Sequence, residues 1–197
     1  MPLPRRSVLA RIAPFAVFMA LLIARAQAPA DGAWGFDPQW LYAAGVVAVA
    51  GLLLFFRREY GELARQTLPE AREALLAVAA GLVVFLLWVN LDAPWMTIGT
   101  PSAPFEPLSA AGAIDWPRIA IRFVGAALLV PLMEELFWRS FLMRWIIDPD
   151  FQHVPIGRVT PLAVVVTAGL FALAHPEWLP ALLAGLATPA LAQTRDA

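Results

Sequence analysis

Residues 128–145 read LLVPLMEELFWRSFLMRW, and their reading decides the fold. Two adjacent carboxylates, Glu134 and Glu135, stand in a run otherwise apolar enough to lie in a bilayer. A carboxylate at membrane depth costs about 2.5–3.5 kcal/mol on insertion scales, and such groups face a cavity or a partner. The rest of the chain therefore has to establish whether a membrane is there, and the spacing of nearby residues what the glutamates do.

Composition points to a membrane. Hydrophobic residues make up 60% of the 197-residue chain, against roughly 45–50% in ordinary globular proteins. The formal net charge of -1 offers no basic surface for nucleic acid. The absence of cysteine removes disulfides, zinc–thiolate sites and a thiol nucleophile. There are eight Trp and only two Tyr. Trp34, Trp40, Trp95, Trp116 and Trp178 fall at the edges of apolar runs, as interfacial aromatics do.

A spanning helix takes about 20 mostly apolar residues. Candidate spans are residues 8–24, 40–56, 74–91, 116–147 and 159–175. A last apolar stretch, LPALLAGLATPALA, is short and interrupted by Pro180 and Pro189, so a partial helix is expected there. The expected fold is an all-α polytopic transmembrane helical bundle of about five full spans plus a partial sixth. Residues 1–115 form amino-terminal helices 1–3 with their loops, and residues 116–197 the functional core. The basic start, apolar core and AQA of residues 26–28 also resemble a secretory signal peptide, but a retained first helix suits the other spans better. Arg5, Arg6 and Arg11 flank that helix, Arg57, Arg58, Arg65 and Arg72 lie in the second loop, and Arg144 and Arg158 flank a later one. By the positive-inside rule these segments and the amino terminus are cytoplasmic. The middle of the second loop, rich in Arg and Glu, is expected to form a short surface helix with paired charges.

On an α-helix Glu135 and Arg139 are four apart and share a face, which suits an ion pair. From Glu134 the corresponding positions hold Phe137 and Trp138, so α-helical spacing sets no cation beside it. Burial away from a cation raises a carboxyl pKa toward the range of a general base. The bland reading is that both acids bind Arg139, or Arg122, and hold helices together. His175 closes the run FALAH. Glu134 lies 13 residues before Ile147 and His175 lies 16 after Val159. At about 1.5 Å per residue they reach nearly the same height in an antiparallel hairpin. Pro131 denies the carbonyl of Ala127 its helical donor, and Pro176 disfavours helix at His175. Irregular backbone at such depth suggests a wet pocket. A Glu and a His around water suit hydrolysis, proton relay or, less well, a divalent metal, for which two ligands are few.

EELFWR, residues 134–139, matches the EExxxR motif of the CAAX prenyl protease and bacteriocin-processing family of intramembrane proteases, and FALAH, residues 171–175, matches its FxxxH motif. Residues 122–185 resemble most the branch associated with exosortase sorting systems of Gram-negative bacteria. The resemblance implies an endopeptidase in the bacterial inner membrane, amino terminus cytoplasmic, acting on a protein or peptide tail at the bilayer. It implies Glu134 as the base that activates water and His175 as its assistant, with Glu135, Arg139 and Phe171 supporting the site. No cofactor or metal is implied. The family also carries an HxxxN helix whose His and Asn form an oxyanion hole. Here the only other histidine is His153, in a polar loop where it is expected to be solvated, and no Asn follows Asn90. The expectation is thus a chain cut short before that helix. A lost oxyanion donor costs about 2.7–4 kcal/mol, so enzymatic activity is an open expectation. The alternative is a non-catalytic membrane accessory or immunity protein of a sorting system. A proton-coupled carrier is a third reading, disfavoured because the sequence has no internal repeat.

Overall fold

Each apolar run becomes a helix. A computed structural model describes residues 5–29, 33–64, 70–98, 105, 107–109 and 112–192, from residue 188 onward by backbone alone. Helices α1 (Arg6–Ala26), α2 (Trp40–Phe55) and α3 (Ala71–Asn90) precede one unbroken helical run over residues 116–147. That run comprises α4 (Trp116–Val124), a π-helical segment (Gly125–Leu129), α5 (Val130–Glu134), a second π segment (Glu135–Met143) and α6 (Arg144–Ile147). Helices α7 (Pro161–Leu173) and α8 (Trp178–Ala192) follow. The fold is all-helical, and the described residues contain no strand, only a single bridge between Leu108 and Ile114. Two helices, α1 and α3, are long and apolar enough to cross a membrane, and α2, α7 and α8 are shorter apolar helices.

The last apolar stretch departs from expectation: α8 runs straight through Pro180. This proline is the third residue of the helix, where an N–H would have no acceptor within the helix anyway. It is fully buried.

The chain divides into two units, Met1–Gly61 with Ser102–Phe137, and Glu62–Pro101 with Trp138–Ala197. In the first, α1 and α2 pack together and α5 lies against both. Phe18, Val46, Val49, Met133 and Leu136 are buried at their junction. Pro14 lies inside α1, so the carbonyl of Ala10, four residues earlier, has no helical N–H to accept. Tyr60 Oη fills that place, donating to Ala10 O at 2.8 Å. Arg11 turns inward beside it, giving Nη1 to Ser7 O (2.9 Å) and Nη2 to Glu59 O (3.0 Å). Arg11 is thus buried rather than part of a solvated basic flank. It is needed there because residues 57–60 leave helix α2 with backbone carbonyls to satisfy. The middle of the second loop, where a surface helix was expected, lies mostly in residues 65–69, Arg65 among them, outside the described residues; before it, residues 57–63 form two short 3-10 turns. Arg6 and Glu59 pair at 3.3 Å.

At the start of α4, Asp115 caps the helix by accepting from Arg118 N. The Arg118 side chain reaches Asp37 at 2.6 Å and Gln39 at 3.2 Å, tying the loop before α2 to this helix. Further along, Arg122 lies over the Tyr42 ring at 4.8 Å.

In the second unit, α3 begins with a reciprocal capping box between Glu70 and Glu73. None of its residues is buried, and Leu75, Val78, Leu82, Phe85 and Leu86 stand exposed. A helix apolar on every side matches lipid rather than water. Helices α7 and α8 approach so closely that a Cβ on Gly185 would lie 3.0 Å from Ala168 Cα. Arg144 does not project into the loop after α6 as a flanking cation. It is buried, donating from Nε to Val154 O (2.9 Å) and from Nη1 to Ser140 O (3.1 Å), with its guanidinium over Phe151.

Candidate active site

The glutamates lie where the helical run changes its pitch. Pro131 cannot donate, and an α-helix would respond by kinking or breaking. Instead the chain widens ahead of it, and Val130 N–H reaches back five residues to Gly125 O. The backbone irregularity expected at Pro131 thus takes the form of π turns. Such turns are rare and frequent at functional sites. Glu134 ends α5 and Glu135 opens the second π segment. This alters the spacing argument. In a π register the hydrogen-bonded period is five residues, and the residue five after Glu134 is Arg139. Spacing therefore no longer assigns Arg139 to Glu135 alone.

Around the pair, Met133 and Leu136 point into the first unit's core at 1% and 2% exposure. Phe137 stacks on Phe15 of α1, ring centroids 4.0 Å apart and planes within 1°. These apolar anchors leave Glu134 half-buried and Glu135 exposed on the helix surface.

His175 belongs to the second unit, in the joint between α7 and α8. Pro176 disfavours helix at the residue before it, and α7 ends at Leu173 with Ala174 as its cap. The last carbonyls of a helix lack donors. The His175 ring returns to one of them, Nδ1 lying 2.8 Å from Phe171 O. A carbonyl only accepts, so Nδ1 carries the hydrogen and the neutral ring keeps its acceptor lone pair on Nε2. The four-residue spacing of FxxxH thus has a physical meaning: one turn brings the imidazole back over the Phe171 carbonyl. The two rings also lie 4.3 Å apart. Trp88 of α3 meets the imidazole edge to face at 5.5 Å, 76° between planes.

The backbone of the joint is tied down as well. Pro176 O accepts from Ile98 N at 2.7 Å and from Trp178 N at 3.1 Å, and Trp178 Nε1 donates to Trp95 O at 3.1 Å. Spacing and periodicity single out neither Trp88 nor the brace from residues 95–98. Both lie far from the motifs in sequence, and no local pattern marks them as partners of the joint at His175.

Of the candidate residues, Glu134 and Glu135 fall in the first unit, and Arg139, Phe171 and His175 in the second. Within the second unit, the two motifs touch through Trp138, which packs edge-on against Phe171. His153 stands in its loop with its side chain 81% exposed, Nδ1 3.2 Å from Asp150 Oδ2. Ser140 hydrogen-bonds to the Glu62 carboxylate. Among the described residues no group of three or more His, Asp or Glu is placed to hold a metal ion.

Residues 116–195 match the family model described as Rce1-like, type II CAAX prenyl endopeptidase. That span contains both EELFWR and FALAH. No curated protein and no solved structure matches the chain. Over residues 116–195, the match supports the kinship with the CAAX prenyl protease family first read from two short motifs.

Proposed function

We propose that this protein is an intramembrane endopeptidase of the CAAX prenyl type, cleaving a peptide bond of a membrane-associated protein. It is read as a bundle of about five spans plus a partial sixth, in the bacterial inner membrane with its amino terminus cytoplasmic. The single observation that carries the reading is the family match over the span holding both motifs. The seating of His175 is consistent with it, because Nδ1–H is committed to Phe171 O and the proton-accepting nitrogen is Nε2.

In this reading Glu134 takes a proton from water and the hydroxide adds to the scissile carbonyl carbon, giving a tetrahedral intermediate. The C–N bond then breaks, and the proton held by Glu134 passes to the departing amine. His175 assists by hydrogen-bonding through Nε2, and Glu135 and Arg139 hold the carboxylates in register. The finer resemblance, over residues 122–185, supports an association with an exosortase-type sorting system.

The experiment is cleavage of a farnesylated CAAX-tailed peptide by the full chain in lipid vesicles. Glu134→Gln is expected to abolish cleavage while leaving the thermal transition in place, and Glu135→Gln to lower stability first. Cleavage that survives Glu134→Gln removes Glu134 as the base, and a wild-type chain that cleaves nothing sinks the reading in favour of a non-catalytic accessory protein.

A further inference from the structure

We infer that Trp88, with the backbone of residues 95–98, holds the His175 imidazole in one orientation and one tautomer; its catalytic relevance rests on the endopeptidase reading above. Trp88 and residues 95–98 lie outside residues 116–195, so part of the support of His175 comes from the amino-terminal part of the chain.

A histidine side chain has a soft, roughly two-fold second torsion. Rotation of the ring would break the bond from Nδ1 to Phe171 O, the bond that sets the proton on Nδ1. Phe171 at 4.3 Å and Trp88 at 5.5 Å stand beside the imidazole. Phe171 is a neighbour along the same turn and moves with it. Trp88 comes from α3 and is an independent stop. The joint's backbone is fixed from the same direction, through Ile98 N to Pro176 O and Trp178 Nε1 to Trp95 O. Trp88 is therefore a positioning residue rather than a filler of space, and the two roles are separable by what is left after substitution.

The chain has two histidines. In a His153→Gln background, ring 15N resonances of the full chain in lipid bicelles report His175 alone. At alkaline pH one protonated Nδ1 and one unprotonated Nε2 signal are expected. Trp88→Leu, which keeps bulk but removes the aromatic edge, should merge these toward tautomer-averaged shifts, and Trp88→Phe should retain them. Two resolved signals persisting in folded Trp88→Leu overturn the proposal, even if that variant is less stable. Should Trp88→Leu not fold, Trp88→Met and Trp88→Phe give the same comparison. On the farnesylated peptide, Trp88→Leu is expected to lower kcat on the order of tenfold to a hundredfold, with KM nearly unchanged. If the wild-type chain cleaves nothing yet the tautomer responds to Trp88→Leu as described, the endopeptidase reading fails and the positioning role stands.

Discussion

Trp138 of EELFWR meets Phe171 of FALAH edge to face, ring centroids 5.5 Å apart and planes at 87°. Trp138 is buried and Phe171 half-buried, and the Phe171 carbonyl is the one that receives the His175 ring. Edge-to-face pairs contribute about 0.5–1.5 kcal/mol beyond the area they cover. A double-mutant cycle of Trp138→Leu and Phe171→Leu, followed by thermal unfolding in detergent micelles, should return a coupling of about that size. Strict additivity would mean the contact is incidental.

Tyr60→Phe removes the hydroxyl that serves the Ala10 carbonyl. Leaving a buried acceptor unsatisfied costs about 1–3 kcal/mol. The cause is Pro14, so Pro14→Ala, which restores the helical N–H, should make Tyr60→Phe close to neutral. Unfolding curves of the single and double variants decide this; an unchanged cost in the Pro14→Ala background contradicts the account.

Gly125 opens the first π segment, where a Cβ would lie 2.5 Å from both Tyr42 Oη and Val46 Cγ2. Gly125→Ala should destabilise by about 1–3 kcal/mol, the usual range for overpacking. Part of the loss should return in a Tyr42→Phe background, because one of the two clashing atoms is gone. Equal losses in both backgrounds would locate the strain elsewhere.

Arg144→Ala strips the Val154 carbonyl of its guanidinium donor. Hydrogen bonds to charged groups contribute about 1.5–3 kcal/mol, and here the bond ties the loop after α6 to the helix before it. Limited trypsin digestion should cut after exposed Arg158 several-fold faster in the variant, with the thermal midpoint lowered. Lys at this position should recover only part of the protection, since a single ammonium lacks the planar fork that reaches Val154 and Ser140 together.

Sequence by itself determined the all-helical class, the positions of the apolar helices and the two motifs, because these depend on local hydropathy and on residues a turn apart. The stop of α7 just before His175 was legible for the same reason, proline disfavouring helix at its immediate neighbour. Tertiary structure decided what long-range partners do. Arg11 and Arg144 look like solvated flanking charges along the chain and are buried donors in the fold, because distant carbonyls at Glu59 and Val154 need them. Composition cannot say which arginine bends inward. The pitch of the helix at Glu134 was likewise hidden: Pro131 predicts a disturbance, but whether the chain kinks or widens into a π turn depends on what packs beside it, and with that goes the register of Arg139. Trp88, set beside His175 by the packing of α3 on α8, is eighty-seven positions away in sequence, a separation that only the folded chain closes.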